Sequence, residues 1–374
     1  MKAYFAGYNI ITSLGTTVKE NVENILQNKT GVTLHNGYGN VTEQTQLSEV
    51  NKDVIFADFD NDDFTTFEKF LVFSIRKSLI DSKIKISEKT ALILSTTKGN
   101  IELLDEEKAE KYEIDRINLW KSAEIVSKYF GIKTEPLIIS NACISGVQAI
   151  NAGMRMIQEE QCDNVIVVGG DILSDFVISG FLSFKSISPN PCKPFDKNRD
   201  GLSLGEGAAT VLITSYPCQA SEPKIEFVSG ATANDANHIS GPSRTGEGLY
   251  QAIDTVLQGN TNIDYISAHG TATMYNDDME SIALTRCGLQ NSPVNSFKGY
   301  FGHTLGAAGL VETALTIYSM QNNILFNTLG FEEIGTAENV NVVSEHTEKE
   351  IKSALKIASG FGGSNVALLM VKEK

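Results

Sequence analysis

The stretch Leu137-Ile138-Ile139-Ser140-Asn141-Ala142-Cys143-Ile144-Ser145-Gly146-Val147-Gln148-Ala149-Ile150 changes character half-way along. It opens as a short apolar run suited to a buried strand, passes through a turn of small residues, and continues as an amphipathic stretch of helical spacing. The same alternation recurs along the chain. Short β-branched runs stand at 91–94, 136–140, 165–169, 209–213 and 367–371, and amphipathic stretches at 18–26, 67–80, 120–130, 146–159, 250–257, 279–284 and 307–320. The opening residues Met1 to Gly7 read as a first strand. This pattern predicts an α/β protein with mixed or parallel sheets covered by helices.

A faint internal echo accompanies it. Ser203-Leu204-Gly205-Glu206-Gly207-Ala208-Ala209-Thr210 and Gly360-Phe361-Gly362-Gly363-Ser364-Asn365-Val366-Ala367 are both Gly-rich loops entering apolar strands. Each closes roughly one half of the chain, which points to duplicated halves over 1–215 and 216–374. No Gly/Ser-rich or Pro-rich linker separates them, so close packing is expected. Residues 36–63, with an acidic run from Asp58 to Asp63, and 102–116 are polar and poorly periodic, and read as surface excursions.

The chain has 374 residues and a net charge of −15, which argues against nucleic acid or an anionic membrane surface as partner. No apolar run approaches a membrane span, and the N-terminus lacks the pattern of a signal peptide. Five cysteines are scattered without a CxxC or an even framework, which points to a reducing compartment, the cytoplasm, and away from zinc.

Cys143 stands where the predicted strand turns into the predicted helix. A helix N-terminus favours thiolate over thiol, so a lowered pKa is expected there. Read alone, the segment fits a small buried core cysteine as well as a nucleophile. His269, in Ala268-His269-Gly270-Thr271-Ala272-Thr273, and His303, in Gly302-His303-Thr304-Leu305-Gly306-Ala307-Ala308-Gly309, both sit among small residues that let a substrate approach an imidazole. Lys298, shortly before His303, reads either as a surface lysine or as a charge that tunes a site. His35 and His346 lie in polar stretches and are expected at the surface, and His238 is a candidate for the substrate entrance.

In their order, N-A-C-I-S-G around Cys143, A-H-G-T-A-T around His269 and S-F-K-G-Y-F-G-H-T-L-G-A-A-G carrying Lys298 and His303 resemble the active-site motifs of the elongating β-ketoacyl-[acyl carrier protein] synthases of the thiolase superfamily. Further stretches agree: P-F-D-K-N-R-D-G at 194–201 with G-E-G-A at 205–208, G-F-G-G-S-N at 360–365, Asp235 with His238, Asp277 with Glu280, and Glu312. The resemblance spans nearly the whole chain. It implies a thiolase-like fold, with two duplicated βαβαβαββ-type halves packed into a five-layered α-β-α-β-α core, the N-terminal half carrying the nucleophilic cysteine and the C-terminal half both histidines.

The resemblance also implies an acyltransferase mechanism, a decarboxylative Claisen condensation. Cys143 takes an acyl group from a thioester. Backbone N–H groups of Cys143 and Phe361 hold the oxyanion, and Phe361 doubles as a gate. His269 and His303 stabilise the enolate left when a malonyl thioester loses CO₂. Thr271 and Thr273 resemble the hydroxyls that bind the phosphopantetheine arm, the alternative being turn hydroxyls bonded to their own backbone. Glu312 and Lys298 are expected to form a buried polar network near His303. The substrates are phosphopantetheine-linked acyl and malonyl thioesters, with no bound cofactor or metal.

Acyl carrier protein is the implied partner, with a homodimer expected and a heterodimer with a chain-length-factor-like subunit as the alternative. A non-catalytic partner subunit is disfavoured because Cys143 and both histidines are present, and a thiolase because Gly360-Phe361-Gly362 holds no second cysteine. The chain departs from the family where basic residues usually dock the acidic carrier: here the stretch is acidic at 60–63. Arg76, Lys77 and Lys83 are the nearest basic candidates.

Overall fold

Ten strands hydrogen-bond into one continuous sheet in the computed structural model, which describes residues 1–60, 63–105 and 111–373. The first five are β1 (Ala3–Ile11), β2 (Thr90–Ser95), β3 (Leu137–Ile139), β4 (Asn164–Asp171) and β5 (Gly207–Thr214). The second five are β6 (Ile225–Asn234), β7 (Tyr265–Ser267), β8 (Val294–Asn295), β9 (Ser353–Gly360) and β10 (Ser364–Lys372). Their spatial order is β8-β7-β9-β10-β6-β1-β5-β4-β2-β3. Counted within its own set, each five-strand group therefore runs 3-2-4-5-1. In each group the second strand pairs in parallel with the third and fourth, and the fifth pairs antiparallel with the fourth and first. The groups join where β1 and β6 pair antiparallel at Ala3 with Phe227 and Tyr4 with Glu226. The duplication suggested by two Gly-rich loops is thus a duplication of topology.

Parallel neighbours need long crossovers, and helices supply them. They are α1 (Val18–Leu26), α2 (Thr66–Ile80), α3 (Leu119–Tyr129), α4 (Ser145–Gln158), α5 (Asp175–Ser183), α6 (Glu247–Leu257), α7 (Met274–Arg286) and α8 (Ala308–Asn322). On one outer face α2 packs on β1, β4 and β5, and α3 on β2 and β3. On the other, α6 packs on β6, β9 and β10, with α7 against it. Both α4 and α8 touch strands of both groups, and they touch each other. The layers are therefore α-β-α-β-α. One apolar core runs through the middle with Val147, Ile150, Leu310 and Leu315, and separate cores lie under α2 and under α6.

The predicted strand and helix segments all fall within observed elements or overlap them to within a residue or two. The polar excursion at 36–63 is a correction: its first part belongs to an antiparallel hairpin, 33–38 with 41–48, that pairs onward with Leu204 and Gly205. Of the acidic run, residues 61 and 62 lie outside the described residues, as do 106–110 of the second excursion. Among the described residues no helix is long and apolar enough to cross a membrane.

The central helices cross at two glycines. A Cβ at Gly146 would stand 2.6 Å from the Leu310 amide nitrogen, and one at Gly309 would stand 2.6 Å from that of Val147. Backbone blocks both positions, so an added methyl group must separate the helices. Gly146→Ala and Gly309→Ala should each lower the unfolding free energy by about 1–3 kcal/mol, measured by urea titration. A change within error at both positions would mean the crossing relaxes freely.

Candidate active site

The chain enters the site through a strained turn. Ala142 adopts a left-handed conformation with φ of +46° and delivers Cys143 from the end of β3 into the mouth of α4. Ser145 closes the turn: its Oγ accepts from the Asn141 amide at 2.8 Å and donates to the Ala142 carbonyl at 2.7 Å. Asn141 Oδ1 also accepts from Ser364 Oγ at 3.0 Å, which ties the turn to the Gly-rich loop after β9. Gly360 lies so close that a Cβ there would be 3.1 Å from the Cys143 nitrogen.

Cys143 is nearly fully buried. Burial pushes its thiol up to about 11, and the Lys298 charge and the Phe361 backbone N–H only partly oppose this, while Asp171 adds to it. The lowered pKa expected from a helix N-terminus is therefore corrected: α4 begins two residues later, at Ser145, and desolvation outweighs the favourable charges. Cys143 rests as a thiol.

His269 follows β7, and His303 follows a short helical turn, Lys298–Phe301. Their rings meet edge to face with centroids 5.1 Å apart, and Cys143 Sγ with one nitrogen of each ring lies within a 4.8 Å cluster. His303 Nδ1 accepts from the Leu305 amide at 3.2 Å. His269 Nδ1 lies 3.3 Å from Lys298 Nζ, an ammonium that can only donate. In a neutral ring whose Nδ1 accepts, the proton resides on Nε2. Both rings are neutral, because burial first and the Lys298 charge second hold them well below the ordinary imidazole range. Among the described residues His303 Nε2 is buried without a partner. The trio thus offers hydrogens rather than metal-ligating lone pairs to the space between its members.

The loop through His269 is pinned on both sides of its backbone. Glu280 accepts from the amides of His269 at 2.7 Å and Gly270 at 2.6 Å, and Asp277 from those of Thr271 at 2.9 Å and Ala272 at 3.1 Å. Lys298 donates to the His269 carbonyl and, at 2.6 Å, to Glu312. Lys356 donates to the Ala268 carbonyl at 3.0 Å and to the other oxygen of Glu312 at 2.5 Å. The expected Lys298–Glu312 network is present and fully buried, but it grips His269 rather than His303. Asp171, at the end of β4, accepts from Thr96 Oγ1 at 2.8 Å and from the Gly306 amide at 2.7 Å, linking the first strand group to the His303 loop.

Cys143, His269 and His303 line one cavity of about 460 Å³. Thr271 and Thr273 stand on its wall with their hydroxyls 2.9 Å apart, and His238 is exposed at its mouth. The Phe361 ring stacks on Phe181 at 5.6 Å and meets Phe184 edge-on at 5.2 Å. Met274 and Tyr275 are exposed at the rim. Of the basic candidates for carrier docking, none lines this cavity; Arg76 is paired with Asp58, and Lys77 lies over Phe73. The P-F-D-K-N-R-D-G stretch reaches the cavity wall at Asp200 and Gly201 and is held by Arg199, which donates to Asp278 at 2.6 Å and to the Gly335 carbonyl at 2.6 Å. His35 and His346 are half-buried rather than exposed, and His346 bonds the Ile25 carbonyl.

Sequence reasoning missed Lys356, Asp171, Phe181 and Phe184. The first two are single charges in buried strands whose partners lie far along the chain, so no local pattern marks them.

Two family models match the chain: "Beta-ketoacyl synthase, N-terminal domain" over residues 6–217 and "Beta-ketoacyl synthase, C-terminal domain" over 226–332. The chain is similar to 3-oxoacyl-[acyl-carrier-protein] synthase 2 of Vibrio harveyi, 25% identical and covering 98% of this chain and 97% of that one. It is 29% identical to the ketoacyl synthase alpha subunit of the tetracenomycin polyketide synthase of Streptomyces glaucescens, covering 63% of this chain and 60% of the other. Among solved structures, the ketosynthase crystallised with its chain length factor from Xenorhabdus doucetiae superposes with a TM-score of 0.85 at 24% identity, over 100% of this chain and 98% of that one. The fold is therefore thiolase-like.

The buried imidazoles give a pH signature. The unfolded chain protonates each near pH ~6.5, while the folded chain keeps them neutral to lower pH. Each therefore lowers stability as pH falls below that value and has no such effect above it. His303→Asn removes one of these penalties. In urea titrations the variant should gain on wild type as pH drops from about 7 to about 5; a pH-independent difference would show that the folded ring titrates normally.

Proposed function

The chain belongs to the β-ketoacyl synthase family, and from that premise we propose how its buried groups divide the condensation that elongates fatty acid or polyketide chains. The observation that carries the proposal is the fixed tautomer of both imidazoles, with His303 Nε2 buried near Cys143 and unpartnered among the described residues.

In the first half-reaction Cys143 Sγ forms a bond to the carbonyl carbon of an acyl thioester and the carrier thiol leaves with the proton that the cysteine gives up. The oxyanion formed on the way is held by the N–H groups of Cys143 and Phe361, which Gly360 allows to lie together. In the second, a malonyl thioester lies with its carbonyl oxygen between the Nε2–H groups of His269 and His303. The carboxylate leaves as CO₂, and the electron pair it leaves behind becomes an enolate held by those two donors. The enolate carbon attacks the acyl carbon on Cys143, the C–S bond breaks, and the thiolate regains a proton from water. Each donor aimed at developing charge is worth about 3–4 kcal/mol. Lys298 is a positioning residue that keeps His269 in the donating tautomer. Thr271 and Thr273 bind the phosphopantetheine arm, and Phe361, between Phe181 and Phe184, gates the acyl pocket. The reaction needs no metal or bound cofactor.

The carrier is an acyl carrier protein, which docks by the exposed rim rather than by a basic patch beside the acidic stretch. A second thiolase-fold chain, identical or of the chain-length-factor kind, completes the assembly. The place of β3 at the end of the sheet and the exposed Leu137, Phe176 and Phe184 support this, as does the similarity to a polyketide ketosynthase subunit. Five free cysteines suit a cytoplasmic setting.

Intact-protein mass spectrometry tests the division of labour. Wild type incubated with acyl-loaded carrier should gain one acyl mass, and Cys143→Ala none. His269→Ala and His303→Ala should still acylate but discharge onto malonyl carrier at least about 100-fold more slowly. A wild type that accepts no acyl group from any carrier or coenzyme A donor would remove the central step.

A further inference from the structure

We propose that Lys356 is a positioning residue for His269, acting through the Ser267 and Ala268 carbonyls and through Glu312; this rests on the reading of His269 as a donor to the malonyl thioester. Lys356 lies in the middle of β9 with its side chain fully buried, directly beside Ser267 in the parallel pairing of β9 with β7. A buried ammonium needs three acceptors. Lys356 finds them in the Ser267 carbonyl at 3.3 Å, the Ala268 carbonyl at 3.0 Å and Glu312 Oε2 at 2.5 Å. Lys298 finds its own in Glu312 Oε1, the His269 carbonyl and His269 Nδ1.

The two lysines therefore receive three consecutive carbonyls, 267, 268 and 269, and Glu312 spaces them by giving one oxygen to each. Removing Lys356 orphans two carbonyls at the root of the His269 loop. It also frees one oxygen of Glu312, so the carboxylate can turn on Lys298 and draw it from the imidazole. The charge balance shifts as well. Around His269 stand Lys298, Glu312, His303, Cys143, Glu280 and Asp277; with Lys356 present, two ammonium groups face Glu312, and both lower the proton affinity of the two rings. Losing one ammonium raises that affinity.

The test separates the half-reactions in Lys356→Met and Lys356→Gln, the second retaining a hydrogen-bond donor without the charge. Lys356→Met should lower kcat for decarboxylation of malonyl carrier by about 10- to 100-fold at little change in KM. Acylation, followed by mass spectrometry, should change far less, and the acid limb of the decarboxylation profile should move to higher pH. Lys356→Gln should recover part of the rate with the acid limb still displaced, and it carries the same comparison should Lys356→Met fail to fold. Wild-type kcat and an unmoved acid limb in the variants would overturn the proposal, as would equal losses in both half-reactions, the mark of general loosening. A wild type that acylates yet never decarboxylates malonyl carrier would instead bring down the reading of His269, and this proposal with it.

Discussion

A carboxylate buried away from solvent has to be matched, and Glu312 is matched twice, by an ammonium on each oxygen. The match sets more than its own neighbourhood. Glu312 rides on α8, and the start of α8 is the glycine crossing that presses against the start of α4, the helix Cys143 precedes. Cys143 and the ionic cluster are therefore positioned by one helix pair, each member of which touches both strand groups. A buried ion triad of this kind is a weak source of net stability, because desolvation offsets most of the attraction. What it does provide is direction: three lysine donors on one side and three on the other admit few alternative arrangements of the loop between them.

The same logic extends around the whole His269 loop. Its amides end on Glu280 and Asp277 and its carbonyls on Lys356 and Lys298, so negative groups hold the hydrogens and positive groups hold the oxygens. Burial raises the proton affinity of Glu280 and Asp277, and the amides that point at them act in the opposite sense. An imidazole fixed in this way needs no reorganisation when charge develops in front of it, which is the condition under which a donor is most effective. His303 reaches the same state by simpler means, one backbone amide on Nδ1.

The residues of the site were legible because they occupy turns, where small neighbours and ordered motifs leave a local mark: Cys143, His269, His303 and Phe361 on the cavity wall and Lys298 behind it all stand in such stretches. The alternation of apolar runs and amphipathic segments was enough for an α/β protein, and the Gly-rich echo for a duplicated one. What stayed hidden has a common cause. Lys356 sits in Ser353-Ala354-Leu355-Lys356-Ile357-Ala358, where a single lysine in an apolar strand carries no sign that it points inward to a glutamate on a distant helix. Asp171 ends a strand in the same silent way. The Cys143 thiol was misjudged for a different reason: position beside a helix start is visible in sequence, whereas the depth of burial that overrides it belongs to the packed molecule.

That burial gives the resting site its character. The thiol keeps its proton, both rings are neutral, and the ionic cluster behind them has two positive groups to one negative. A site so arranged holds no charge on Cys143, His269 or His303, with two ammonium groups one layer further back. In the proposed reaction negative charge appears in the cavity on the tetrahedral carbonyl oxygen of each half-reaction and on the enolate between them. Once acylated, Cys143 carries no charge when the enolate forms; before acylation, a standing thiolate would repel the malonyl carboxylate in a medium that screens poorly. A thiol that releases its proton only as the new C–S bond forms avoids that conflict. The raised pKa of Cys143 is then no defect in a nucleophile, but a consequence of placing it where the next charge must be welcomed.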